Sequence, residues 1–437
     1  MEWSRYNHLF KSSKYGNLLY NTFTQALVRI PDTSLNTINQ IRENPNLVET
    51  SKEYQCLIDG RFIINSNNDE LACHVNRVLK NRYNPTAMSL TIAVTRACNF
   101  NCVYCYEDDR ASIHMNDSVE ADVIAFVKRN PHLKSLFVVW YGGEPLLNFD
   151  SVERLSKAFI ALGVEYNAFI VSNGYLLSEE IINKLEDLHV GGMQITLDGL
   201  EEYHDSRRML KGGGSTFAVI MKNIEALLTK CKKIRLDIRT NIDKRNAEQY
   251  GEFYKKIRAR FPCPNVRVYT GFSHDLLGSG CVPSDIELTT ANDRADFFIK
   301  NFDKNRLPIV DFSFHTQLTT CIANNLTGFV IGPQGEVYKC WTVIGNEKEV
   351  IGNVFEPDKF DQLKIARYMV GADYLFDEKC RECYCLPICT GGCPLARIRS
   401  TYEGCRIDFC SVAKQNLESY VEHFLEQKFC GDKGYGD

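Results

Sequence analysis

The sequence predicts an α/β protein whose central parallel sheet, open or curled into a barrel, lies between a small amino-terminal module and a cysteine-rich carboxyl-terminal segment. Three observations carry this. From Met88 onward, short apolar runs alternate strictly with amphipathic stretches, which is the pattern of strand–helix–strand units. Only two of the 18 cysteines fall in the first 85 residues, whereas eight lie between Cys380 and Cys430. A chain of 437 residues also has room for about three domains at roughly 150 residues each.

Residues 1–85 read as a mixed module. Gly16–Tyr20 and Thr24–Ile30 form a candidate hairpin, Pro31–Ser34 supplies turn and cap chemistry for a short helix, a second strand pair is expected around Asp59-Gly60, and a helix over Asp69–Leu79. Strands beside small helices fit a winged-helix-like module. In the next part the expected strands are Ser89–Val94, Leu136–Trp140, Asn167–Val171, Gly192–Leu197, Ile234–Thr240 and Val266–Thr270. The expected helices between and after them are Asp117–Lys128, Ser151–Leu162, Ser178–Leu188, Phe217–Leu228, Asn246–Arg258 and Asp293–Asn301. Gly271–Asp285 reads as a loop, and Gly431–Asp437 as a frayed tail. Ligands of such a sheet gather at the carboxyl ends of its strands.

Lys and Arg total 51 against 55 Asp and Glu, a net charge of −4, which argues against a dedicated nucleic-acid binder. No apolar run is long enough for a membrane span, and Met1-Glu2-Trp3-Ser4-Arg5 does not open an export signal, so the expected location is cytoplasmic. In a reducing compartment clustered thiols are better read as metal ligands than as disulfides.

The first such cluster is Cys98-x3-Cys102-x2-Cys105, directly after the strand ending at Val94. Three thiolates on one tight loop suit three corners of an iron–sulfur cube and leave one iron open. A structural zinc site is the competing reading, but such sites usually pair two Cys-x2-Cys elements or mix Cys with His, and the nearest histidines in sequence, His74 and His114, have no metal-ligand spacing. The run Cys98, Cys102, Tyr104, Cys105 resembles the signature of the radical S-adenosylmethionine (SAM) superfamily. That resemblance implies a partial (β/α)6 TIM-like barrel, a [4Fe–4S] cluster on the three thiolates and SAM chelating the open iron. One-electron cleavage of SAM then gives an adenosyl radical that abstracts hydrogen from substrate. Gly142-Gly143-Glu144-Pro145 after the second strand resembles the family's motif for the SAM amino group. Ser172 and Asn173 after the third strand and Arg239 at the end of the fifth are further candidate SAM contacts, with Tyr104. Asp198, after the fourth, is a weak candidate for a catalytic residue; helix capping or salt bridging would equally explain such residues. Lys211–Thr216 lacks the order of a phosphate loop and is expected to be a mobile loop.

Beyond residue 306 the cysteines read Cys321-x13-Gly335-x4-Cys340, then Cys380-x2-Cys383-x5-Cys389-x3-Cys393, then Cys410. Gly332–Gly335 is placed to turn a hairpin there. This pattern resembles the SPASM extension of radical SAM enzymes. The resemblance implies two auxiliary [4Fe–4S] clusters, three with the first. One would be held by Cys380, Cys383, Cys389 and Cys410, the other by Cys321, Cys340 and Cys393. The latter set lacks a fourth cysteine, which leaves an open iron, a substrate ligand, or a ligand such as Cys385 or Cys405. Zinc would accept the same thiolates; the radical-generating barrel tips the choice to iron. The domains expected are thus 1–85, a winged-helix-like leader-peptide module; 86–305, the barrel; and 306–437, the SPASM domain.

Enzymes of this kind mostly alter peptides. The amino-terminal module favours a precursor peptide that carries a leader segment, bound as an added strand. The leading expectation is therefore hydrogen abstraction followed by an intramolecular crosslink, a Cys-derived thioether being its commonest form. The alternatives are a sulfatase-type formylglycine maturase, a maturase of a peptide-derived cofactor, and a carbon–carbon or carbon–oxygen crosslinking enzyme. The expected partners are the peptide and a flavodoxin or ferredoxin type electron donor, with no nucleic acid and no membrane.

Overall fold

The computed structural model describes residues 1–50, 54–107, 112–273, 286–288, 290–308, 315–318 and 321–430. The chain divides into two compact units: 1–82, 290–321 and 370–437 form one, and 83–289 with 322–369 the other.

The second unit is built on a sheet. Its strands are β1 (Ala87–Ala93), β2 (Ser135–Tyr141), β3 (Glu165–Ser172), β4 (Val190–Thr196), β5 (Arg235–Ile242), β6 (Val266–Phe272), β7 (Gly328–Ile331), β8 (Glu336–Tyr338) and β9 (Gly352–Asn353). The order across the sheet is β6-β5-β4-β3-β2-β1-β7-β8-β9. β1 to β6 are parallel to their neighbours, as is β7 to β1, while β8 and β9 run antiparallel. Each expected strand is present and longer at one end or both, while β1, β4 and β5 each fall one residue short of the expected bounds at the other end. Leu90, Ile92, Val138, Trp140, Ile170, Met193, Ile195, Leu236 and Ile238 are buried, as strands covered on both faces require.

The helices Asp117–Lys128, Phe149–Ile160, Glu179–Lys184, Phe217–Lys230 and Tyr250–Arg260 lie between the strands. Asn116 and Ser178 start two of them by accepting the backbone N–H of Val119 and Ile181. The Gly332–Gly335 turn joins β7 to β8: Gly335 takes φ +83°, and Gly332 N–H donates to Glu336 O at 2.8 Å. Most of the expected loop 271–285 lies outside the described residues, as does the tail 431–437.

In the first unit, strands Asn7–Ser12, Gly16–Asn21 and Leu27–Ile30 form an antiparallel sheet, which includes the expected hairpin and one strand the sequence reading missed. The second strand pair around Asp59-Gly60 is a correction. Gln55–Asp59 is helical, with Leu57 buried and Gly60 N–H closing on Cys56 O, and the chain reverses at Arg61 with φ +57°. Only then does Ile63–Ile64 pair with Glu2–Trp3. The helix Glu70–Arg82 follows, and Tyr6, Phe23 and Val78 share an apolar cluster with Tyr374, Leu375 and Leu386. Arg82 and Asp373, both buried, pair at 2.7 Å.

Candidate functional site

The Cys98–Cys105 loop leaves β1 and is braced on both sides. Arg96 N–H donates to Ile113 O and Met115 N–H to Val94 O on one flank; Gly143 N–H donates to Thr95 O at 3.0 Å and Glu144 N–H to Ala97 O at 2.9 Å on the other. This approach explains the paired glycines. A Cβ on Gly142, at φ +135°, would lie 2.1 Å from Thr95 O, and one on Gly143 would lie 2.4 Å from Ala97 O. The far side of the loop is tied to the chain after β4. Asn101 N–H donates to Met209 O, Val103 N–H to Arg207 O, and Lys211 N–H to Asn99 O, at 2.8 to 3.0 Å. Gly212, Gly213 and Gly214 follow with positive φ, so Lys211–Thr216 is a glycine turn beside the cysteine loop.

Glu144 is fully buried and already holds three protein donors. Its Oε1 accepts from Ser172 Oγ at 2.8 Å and Leu146 N at 3.0 Å, and its Oε2 accepts from Asn173 N at 2.7 Å. Burial pushes its carboxyl up, against those hydrogen bonds. Pro145 opens the short helical turn that Glu144 caps. Asn173 donates to Asn99 Oδ1 at 2.8 Å and reaches Cys98 Sγ at 4.0 Å. Three of the expected SAM-contact residues, Glu144, Ser172 and Asn173, thus form one network at the ends of β2 and β3.

A second network lies at the ends of β4 and β5. The Tyr104 hydroxyl donates to Asp198 Oδ2 and accepts from Arg208 Nη1 at 2.6 Å and Asn241 Nδ2 at 3.0 Å. Asp198 Oδ1 accepts from Asn241 N at 3.2 Å, and Arg207 lies 3.8 Å from its Oδ2 and 4.6 Å above the Tyr104 ring. Asp198 N–H donates to His204 Nδ1, whose Nε2 faces Thr216 Oγ1 at 3.0 Å. The Thr216 hydroxyl itself donates to Arg208 O, so Nε2 carries the proton and the ring is neutral. Burial takes His204 down to about 4, consistent with that tautomer. Arg239 Nε donates to Asn241 Oδ1 at 2.9 Å, and its guanidinium covers Gly271, where a Cβ would come within 2.4 Å. Sequence reading missed Arg207, Arg208 and His204; the available signal was a pair of arginines close after the Asp198-Gly199 turn.

Cys98 is pushed up to about 12 by burial, with the Cys102 and Cys105 charges adding to this. Buried donors on Asn99 (Nδ2) and Arg208 (Nε) have no protein partner among the described residues. A thiol raised by burial and by two neighbouring thiols, beside unanswered donors, fits an anionic cluster with a bound carboxylate. Among the described residues no three His, Cys, Asp or Glu side chains gather round one point for a single ion. A cube differs, because each thiolate binds its own iron and the sulfurs stand farther apart.

In the first unit, burial raises Cys389 to about 11, and the Cys380, Cys383 and Cys410 thiols act on it in the same direction. Cys385 is buried and hydrogen-bonded to Cys383, which lowers the Cys383 thiol to about 6. Cys340 belongs to the second unit, Cys321 and Cys393 to the first. No disulfide forms among the described residues, and no described helix is long and apolar enough to cross a membrane.

Parallel strands carrying a three-cysteine loop at their carboxyl ends, with a Gly-Gly-Glu-Pro turn on the next strand, define a class. Residues 92–257 match the Radical SAM superfamily, and the chain is an enzyme with a radical SAM catalytic domain, a class built on an iron–sulfur cluster. It is 27% identical over 332 residues to the cysteine-type anaerobic sulfatase-maturating enzyme of Clostridium novyi, covering 68% of this chain and 84% of that protein. Among solved structures it resembles anSMEcpe with bound AdoMet, at TM-score 0.62 and 21% identity over 80% of this chain and 96% of that one. It also resembles Streptococcus suis SuiB bound to precursor peptide SuiA, at TM-score 0.53 and 16% identity over 90% and 95%.

Proposed function

We propose that this enzyme abstracts a hydrogen atom from a side chain of a peptide substrate, and that its reaction is of the sulfatase-maturating type, oxidising a Cys or Ser side chain to formylglycine. The supporting observation is the likeness to the Clostridium novyi enzyme over 68% of the chain, in which the three-cysteine loop and the Glu144 network both fall inside the matched family region. A crosslink in a leader-bearing precursor peptide, a Cys-derived thioether first among them, is the second reading. It is favoured by the reach of the SuiB likeness to 90% of the chain, against 80% for anSMEcpe.

In this reading β1–β6 curl as a partial barrel, Cys98, Cys102 and Cys105 hold the SAM-binding [4Fe–4S] cluster, and Cys380, Cys383, Cys389 and Cys410 hold an auxiliary one. Residues 1–85 bind the peptide, and a flavodoxin or ferredoxin type protein delivers electrons. SAM and its cluster, when bound, supply the radical that removes the hydrogen. The chain's own part is positioning. Glu144 fixes the ends of β2 and β3, the glycine pair admits the cysteine loop, and Tyr104 anchors that loop to Asp198 and Arg208. Pre-set geometry of this kind serves radical chemistry better than proton transfer does.

The test is anaerobic reconstitution with SAM and reductant, followed by product mass on two peptides. A sulfatase-derived Cys peptide that exchanges sulfur for an aldehyde oxygen supports the first reading. A precursor peptide that keeps every residue but loses a pair of hydrogens per link supports the second. Iron that does not drop when Cys98, Cys102 and Cys105 are all changed to Ser refutes the assignment of that loop.

A further inference from the structure

Arg397 is buried on the helix Pro394–Tyr402, which opens directly after Cys393. Its Nε donates to Ala372 O at 2.7 Å, its Nη1 to Gly391 O at 3.2 Å and to Cys380 Sγ at 3.8 Å, and its Nη2 to Asp377 Oδ2 at 2.6 Å. The guanidinium carbon lies 4.5 Å over the ring of Phe409, the neighbour of Cys410. Asp377 in turn caps the short helix that carries Cys380, accepting from Lys379 N and Cys380 N. One guanidinium therefore touches a thiol, the loop after Cys389 and the residue beside Cys410.

This is more than packing requires. A buried cation normally needs a carboxylate and carbonyl acceptors, and Arg397 has both. It also directs an N–H at a sulfur. Hydrogen bonds to cluster sulfurs and local positive charge stabilise the electron-rich reduced state.

We propose that Arg397 is a positioning residue that raises the reduction potential of the cluster assigned to Cys380, Cys383, Cys389 and Cys410, and that Asp377 tempers it. This rests on the proposed cluster assignment. The step concerned is a one-electron reduction: the oxidised cluster takes one electron from a donor and no covalent bond changes. A raised potential makes this cluster the downhill destination for an electron released when substrate is oxidised.

The experiment is a redox titration of the reconstituted full-length enzyme with dithionite, followed by electron paramagnetic resonance, on wild type, Arg397→Gln, Arg397→Lys and Asp377→Asn. Asn keeps the cap acceptor while removing the charge. Arg397→Gln is expected to lower the midpoint of one auxiliary signal by about a tenfold change in the reduction equilibrium, ~59 mV for one electron. Arg397→Lys lowers it less, Asp377→Asn raises it, and the signal that responds to SAM stays put. Full iron and sulfide with unmoved midpoints in Arg397→Gln and Asp377→Asn would overturn the proposal. If Arg397→Gln loses its iron, Asp377→Asn decides, and loss of iron in both overturns it in favour of a purely structural role. Failure of the underlying assignment looks different: wild-type enzyme whose iron vanishes entirely when Cys98, Cys102 and Cys105 are replaced has no auxiliary cluster to tune.

Discussion

Replacing Glu144 separates the architectural role of the Gly-Gly-Glu-Pro turn from any contact with SAM. In Glu144→Ala the backbone N–H groups of Leu146 and Asn173 lose their acceptor inside the protein, while the Ser172 hydroxyl can rotate elsewhere. Each stranded buried N–H costs about 1–3 kcal/mol, so the loss is ~2–6 kcal/mol for the pair. Glu144→Gln keeps one oxygen and turns a donor toward one of the two N–H groups, so it costs about half as much. The raised carboxyl adds a pH signature. Because the folded state favours the protonated acid, Glu144 contributes stability below the unfolded carboxyl range that is lost as pH rises through the folded value. The stability gap between wild type and Glu144→Gln should narrow as pH rises above about 4.5. Anaerobic urea denaturation without SAM measures both effects. A Glu144→Ala protein within ~0.5 kcal/mol of wild type, with no pH dependence in the difference, would show that the carboxylate serves only the ligand.

Gly143→Ala forces a Cβ to within 2.4 Å of Ala97 O, so the loop must shift; we expect a loss of about 1–3 kcal/mol and depleted iron, read by thermal unfolding and iron assay. His74 is fully buried, has no hydrogen-bond partner for either ring nitrogen among the described residues, and is taken down to about 4 by burial. Its folded value lies below its unfolded one, so its stability is present above pH ~6.5 and is lost by up to about 3 kcal/mol as pH falls to ~4. His74→Leu should flatten that acid slope in denaturation curves, and an unchanged slope refutes the assignment.

How much of this was legible varies with the range of the interaction. The six parallel strands follow from apolar runs at regular spacing, a local signal, and the Cys98 loop and Gly142–Pro145 turn are contiguous motifs. By contrast, the cluster joining Tyr6, Phe23 and Val78 to Tyr374, Leu375 and Leu386 links segments about 300 to 380 residues apart, and no local pattern announces it. Asp59-Gly60 looked like a turn because that dipeptide favours one. Leu57 and Gly60 instead complete a helical turn whose apolar side faces the core. Nothing local marks Arg207 and Arg208 as buried, since their burial depends on Tyr104, Asp198 and Asp243 arriving from three other segments.

Asp198 shows why a polar residue at a strand end is not thereby a base. A general base needs a lone pair directed at substrate. Here Oδ1 is taken by Asn241 N–H, and Oδ2 receives the Tyr104 hydroxyl and faces Arg207. The side chain is wholly buried, so substrate would have to displace three groups to reach it. Its position between β4, β5 and the cysteine loop instead makes it a tie, as Glu144 is between β2 and β3. A tie and a base respond differently to mutation. Asp198→Asn retains shape and one acceptor; for a tie it should weaken SAM binding and cluster retention together with Tyr104→Phe, and leave the pH profile of turnover in place. For a base, Asp198→Asn would abolish turnover with SAM cleavage intact, while Tyr104→Phe would remain active. That second pattern, read by comparing deoxyadenosine release with product formation in both variants, would refute the reading of Asp198 as a brace.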